Sequence, residues 1–346
     1  TWATFAALSG AVYPFNDLND AWKQLLRLSH PDRLTGIQST QNYLDQLEQY
    51  RRLHGITSPI LSNALTFLAS QISTQTENSP TLPGTQALVI FNPSNWVRND
   101  IVEMRLTLDA AEGLTIFNSL GQYVPFDFSA LHISNQRLIG ITVRFLATNV
   151  PSIGYSTYYA IPTGALTYPR ELFTPFIENE YFQLEFKNGE ITRITDKTKM
   201  LPEITDARFN DILAYHLNTD SSNPTWTGDI SRASDQTSEV KLEAIPLGQR
   251  ATITMPFMGG ELIRTVTLHD GLPCIDMQVE LKNIEKRPAL FGASFSSIHP
   301  SLTPLNGHQF GSLFGRADTT TEAFKKSEDT NALPVLNTAT RFHAVT

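Results

Sequence analysis

The amino-acid sequence predicts an α+β, multidomain fold: a three-helix bundle followed by mainly antiparallel β-sandwich domains. Two observations predict it. Up to about residue 76 the apolar residues recur at spacings of three and four, the helical period. Beyond residue 84 they alternate, or form short runs bounded by polar turns, the period of strands. Between the two lies Glu77-Asn78-Ser79-Pro80-Thr81-Leu82-Pro83-Gly84, a linker by composition. With 346 residues the chain is long enough for two or three domains and a sizeable core. The expected divisions are a bundle over 1–76, the linker over 77–84, a small β-sandwich over 85–165, and a larger, incomplete β-sandwich over 166–346.

The first helix is expected from Thr1 to Leu8, with Ser9-Gly10 as its stop. The second starts near Asn16 or Asp17, either of which can cap it. Leu18, Ala21, Trp22, Leu25 and Leu26 then share one face. It ends before Pro31, because the residue preceding a proline is pushed out of the α region. The third runs from about Ser39 towards Thr76. Gly55 and Pro59 sit inside it and predict a kink or a split.

The strands follow in order. Ala87–Phe91 reads as a buried strand closed by Asn92-Pro93, and Ile101–Leu108 alternates cleanly, with one face buried and one wet. Leu138–Leu146 and Tyr155–Ile161 complete the first β-unit. In the second, Tyr181–Lys187 and Glu190–Thr195 flank Asn188-Gly189, the strongest short hairpin signal. Val240–Ala244, Ala251–Met255, Leu262–Leu268 and Cys274–Leu281 continue the pattern. Residues 301–346 are poorly periodic and are expected to be long loops.

Composition excludes several classes. The net charge is −8 with no basic stripe, so no nucleic-acid partner is expected. No apolar run is long enough to cross a bilayer, so no membrane association is expected. The single cysteine, Cys274, rules out an intrachain disulfide, favours a cytoplasmic setting, and reads as a core residue at a strand start. Trp2, Phe5, Ala6, Ala7 and Leu8 follow Thr1 without a basic region, so no signal peptide is expected. The chain opens on Thr rather than Met and ends without a clear closing strand, which leads to the expectation of a truncated chain. Gly-x-Ser-x-Gly, His-Glu-x-x-His and a phosphate loop are all absent. Gly307, Gly311 and Gly315 surround His308, but no helix follows to make an anion site.

Several segments, in order, resemble the glycoside hydrolase family 38 α-mannosidases. They are Tyr13-Pro14 with Ala21–Leu26; Gly36 and the long helix after it; Val89-Ile90-Phe91-Asn92-Pro93-Ser94-Asn95-Trp96; Val150-Pro151-Ser152-Ile153-Gly154-Tyr155-Ser156-Thr157-Tyr158; and Ile177-Glu178-Asn179-Glu180-Tyr181 with Asn188-Gly189-Glu190-Ile191 and Asp196-Lys197. The resemblance implies the middle and C-terminal parts of a retaining α-mannosidase, whose zinc-bearing catalytic barrel precedes the bundle and is absent from this chain. Its partners would be that N-terminal barrel and an α-mannoside or other carbohydrate. In the family the bundle contributes one zinc ligand, the His of a His-Asp pair before a Gly. Counting back from Gly36, Asp32 falls on the Asp but Pro31 falls on the His, and His30 stands one place early. Proline has no donor for a metal, so only a local shift would bring His30 to the ligand position. The plainer reading is a loop between helices in which Asp32 caps. Asp32, Tyr181 and Trp226 are candidate sugar-binding residues, the last because an exposed indole stacks on the C–H face of a sugar. The simpler role for Trp226 is to cover a sheet edge. Pro31 also favours a second reading, a degenerate relative that binds carbohydrate, or assembles, without cleaving.

Overall fold

In a computed structural model the described residues are all but 35–38, 76–79, 81, 200–203, 220–224, 296–304, 309–310, 315–340 and 344–346. The chain divides into two compact units, Thr1–Leu166 and Thr167–Thr346.

The first unit begins with helices α1 (Trp2–Leu8), α2 (Phe15–Leu28), the single turn α3 (Pro31–Leu34) and α4 (Thr40–Ser70). Helix α2 starts one residue before the expected caps, with Pro14 at the N-cap and Asp17 in the first turn, where a carboxylate favours the helix dipole. The break at Pro31 is as expected, and Pro31 opens α3 at the position where its missing N–H costs nothing. Helix α4 is capped by the Ser39 hydroxyl, which accepts from the Asn42 N–H at 3.3 Å. It is neither split nor ended at Gly55 and Pro59, and it runs for 31 residues. Pro59 removes one backbone bond, and α4 packs against both α1 and α2, so the loss is local. The helix stops at Ser70, short of Thr76.

Few helical side chains are buried: Ala6, Ala21, Leu28, Gln46 and Ala64. The apolar stripe of α2 is present, yet Phe15, Trp22 and Leu26 are all exposed, Trp22 by 61%. Leu8, Val12, Tyr43, Leu44 and Leu61 are exposed as well.

Six strands complete this unit: β1 (Gln86–Asn92), β2 (Arg98–Ala111), β3 (Thr115–Asn118), β4 (Phe126–Ser134), β5 (Arg137–Val150) and β6 (Gly154–Ile161). They form two antiparallel sheets, ordered β1-β6-β3 and β2-β5-β4. Leu88, Ile116, Tyr158 and Ala160 of one meet Leu106, Leu108, Ile141, Val143 and Phe145 of the other in one core. Alternation along β2 places Val102, Met104, Leu106 and Leu108 on that core, as its pattern predicts. Buried Asn92 locks one end: its Nδ2 donates to the carbonyls of Trp96, Val150 and Pro151, and its Oδ1 accepts from the Ser94 N–H.

The second unit carries β7 (Arg170–Glu171), β8 (Phe176–Glu178), β9 (Phe182–Lys187), β10 (Glu190–Asp196), β11 (Ile204–Asn218), β12 (Thr225–Arg232), β13 (Glu239–Ile245), β14 (Gly248–Phe257), β15 (Gly260–His269), β16 (Asp276–Lys282) and β17 (Ala289–Phe295). One sheet runs β12-β11-β10-β9-β8, with β17 also paired to β11. The other runs β16-β15-β14-β13-β7. Leu184, Ile191 and Ile212 from the first pack with Ala251, Ile253, Leu262 and Val266 from the second. The hairpin at Asn188-Gly189 forms as predicted, with φ of 51° and 77°, and pairs Lys187 with Glu190.

Two expectations fail. Cys274 is exposed, not core, because β16 begins two residues later and leaves it in the connection. The stretch expected to be long loops holds three short strands, β18 (Leu305–His308), β19 (Gly311–Phe314) and β20 (Arg341–His343), ordered β19-β18-β20. No helix among the described residues is long and apolar enough to cross a membrane.

Candidate functional site

The position expected to carry the metal ligand lies between α2 and α3. His30 is exposed there, and its carbonyl accepts the Arg33 N–H at 2.9 Å, closing the turn that Pro31 opens. The Asp32 side chain lies outside the described residues. Among the described residues no three His, Cys, Asp or Glu side chains gather in a way that could hold a metal ion. The described donor set therefore does not make a zinc site by itself.

The Ile177–Tyr181 segment is built around Asn179. Its side chain is buried, donating from Nδ2 to the carbonyls of His269 (2.8 Å) and Leu272 (3.3 Å) and accepting at Oδ1 from the N–H groups of Tyr181 (2.9 Å) and Phe182 (2.8 Å). Lys197 Nζ donates to Glu178 Oε2 and to the Asn179 carbonyl, both at 2.7 Å. The hydrogen bond from that ammonium holds the Glu178 carboxyl below its ordinary range. Glu180 accepts from the Gly271 N–H at 2.6 Å. The motif thus ties the turn before β9 to the turn after β15, and every Asn179 group is spent on that. Tyr181 is half-buried in this corner, and its carbonyl accepts the Lys197 N–H at 2.7 Å.

Trp226 lies on β12, opposite Leu217 of β11; its side chain is outside the described residues. Next to it the ladder breaks. Tyr215 pairs with Ile230 and Leu217 with Trp226, so Thr227, Gly228 and Asp229 together face His216 alone. This is a β-bulge of more than the usual one extra residue, a device that bends a strand and re-aims its side chains. Gly228 takes a φ of 92° within it. The Thr227 hydroxyl donates to the His216 carbonyl at 3.2 Å and accepts the Asp229 N–H at 3.3 Å. His216 is 4% exposed, and its Nε2 lies 2.7 Å from Ser231 Oγ. Its Nδ1 is buried without a hydrogen-bond partner. Burial, and then Arg287, push its pKa down, while Asp229 and Glu285 oppose them. At the rim Arg287 and Asp229 stand 3.7 Å apart, both well exposed.

Tyr181 and Trp226 are not brought together. Tyr181 precedes the end of β9 that lies level with Ile204, through Phe182–Asp196 and Ile194–Ile204. Trp226 is level with Leu217 at the far end of β11; counted along the partner strands, which step over the bulges of β11, this is on the order of 30 Å at the rise of a strand. One sugar ring does not reach both. His216, Ser231 and the bulge had no signal in the sequence, since no spacing joins residues 216, 231 and 287.

No protein-family model matches the chain, and no curated protein matches it. Solved structures do. An α-mannosidase from Enterococcus faecalis V583 superposes with a TM-score of 0.64 at 12% identity, covering 88% of this chain and 41% of that one. A glycosyl hydrolase family 38 protein from Enterococcus faecalis gives 0.66 at 13% identity, covering 88% and 43%. The fold is glycoside hydrolase family 38-like. The chain spans less than half the length of the structures it matches, so it corresponds to a partial portion of that architecture.

Proposed function

We propose that this chain is the middle and C-terminal, accessory portion of a family 38-like retaining α-mannosidase. It supports a catalytic barrel and lines one side of the sugar pocket. The observation that carries this reading is the lopsided likeness: most of this chain superposes on proteins of which it covers under half. The helices supply independent support. Phe15, Trp22 and Leu26 recur at helical spacing on one side of α2 and are all exposed, as is Val12 just before it, a stripe suited to covering by another domain. Trp226, beside the bulge, is the sugar contact this portion contributes. Zinc would belong to the assembled enzyme, with its other ligands on the barrel and His30 as the nearest imidazole this chain offers.

Pro31 favours one competing reading, a non-hydrolytic carbohydrate-binding or assembly protein of the same fold. The test is hydrolysis of an aryl α-mannoside, together with bound zinc, for the full-length gene product beside this chain alone. Turnover and zinc in the long form only are expected. Absence of both from the long form would overturn the mannosidase reading in favour of the non-hydrolytic one.

A further inference from the structure

The bulge in the β11–β12 hairpin rests on a histidine with room for only one proton. His216 Nε2 is engaged with Ser231 Oγ at 2.7 Å, and Nδ1 is buried with no acceptor. A second proton would put an N–H donor on a ring with nowhere to direct it, in a buried site, which disfavours the cation. The charged surroundings do not rescue it. Arg287, of the segment before β17, repels an imidazolium; Glu285 of that segment and Asp229 of β12 attract it. Asp229 also faces Arg287. Strand β17, paired to β11 alongside, carries no titratable side chain among Ala289–Phe295. The same residue anchors the bulge through its backbone, since the Thr227 hydroxyl donates to the His216 carbonyl. Ring and carbonyl therefore hold the two ends of one irregular stretch, Thr227 and Ser231.

We propose that His216 is an acid-sensitive latch, which keeps the β11–β12 hairpin and its bulge closed while neutral and releases them when it takes a second proton. The sign follows from the depressed pKa. The closed hairpin has its full stability above the ordinary histidine value of about 6.5, and loses it as pH falls below that towards the folded-state value. Because Trp226 sits on this hairpin, acid would also weaken the proposed sugar contact. That consequence alone rests on the functional reading above; the latch itself does not.

The test is amide hydrogen exchange on the full chain without ligand at pH 7.5 and 5.0, corrected for intrinsic rates. Protection of the 214–217 and 227–232 amides is expected to fall by about tenfold or more at the lower pH, while β14 and β15 keep theirs. His216→Gln retains a donor and an acceptor and does not titrate, so it should abolish the difference. No change in wild type, or a change that survives in His216→Gln, would overturn the latch. Should that variant not fold, imidazole NMR of wild type decides. Titration of His216 below 6.5 in step with the hairpin amides supports the proposal, and titration without an amide response refutes it. Methyl α-mannoside added in a parallel series separates the two claims: a latch without sugar binding sinks only the role of Trp226.

Discussion

Replacing Arg264 with Met should destabilise the second unit more than any surface change. Arg264 lies between the two sheets and is 1% exposed. Its guanidinium donates to the Asn210 carbonyl at 2.9 Å, to the Gly189 carbonyl, and to Glu190 Oε1 at 3.1 Å. It therefore ties the Asn188-Gly189 hairpin and β11 to β15. Methionine preserves much of the apolar stem and removes all three bonds. Breaking a buried pair by deleting one partner costs about 3–5 kcal/mol, chiefly by stranding the other charge. The Glu190 side chain keeps 17% exposure, enough to recover some hydration, so the lower end is expected, about 3 kcal/mol. Trp226 is the sole tryptophan of this unit, so urea unfolding can be followed by its fluorescence with Trp2, Trp22 and Trp96 replaced by Phe. Adding Glu190→Gln should recover about 1 kcal/mol or more, because the stranded charge is gone. A loss below about 1 kcal/mol for Arg264→Met would refute the reasoning, since it would mean that the guanidinium holds nothing together.

Asn179→Ala removes four side-chain-to-backbone hydrogen bonds in a buried corner and should cost about 2–4 kcal/mol by the same assay, far more than a turn residue on the surface. Glu178→Gln should lower stability near neutral pH and converge with wild type in acid. The Glu178 carboxyl is depressed by Lys197, so its contribution is present above the unfolded value of 4.5 and is lost as pH falls through the folded one; parallel pH–melting curves for the two proteins would contradict this. Pro59→Ala restores a backbone bond at an exposed position of α4 and should stabilise the helix by up to about 3 kcal/mol in thermal unfolding followed by circular dichroism.

Local rules made part of this fold legible. Asn188-Gly189 and the break before Pro31 follow from backbone conformations that only certain residues adopt, and the alternation of Ile101–Leu108 from strand side chains pointing to opposite faces. Strand β11 was illegible for the opposite reason. It buries Asn210, Asp211 and His216, and two of these meet partners distant in sequence: Ser234 donates to Asp211 from both its N–H and its hydroxyl, and Ser231 meets His216 Nε2. Periodicity likewise put Trp22 and Leu26 on one face without saying what covers it, since a stripe reads the same whether it faces this chain or another. Of the site, the positions of His30 and Trp226 were visible, whereas the bulge that bears on Trp226 is a property of strand pairing.

Hydroxyl-radical footprinting of Phe15, Trp22 and Leu26, in this chain and in the full-length gene product, tests most directly that this is the supporting half of a larger enzyme. Strong modification in the short chain and protection of all three in the long one is the predicted result. Equal modification in both would contradict it, because the helical face would then have no domain to support.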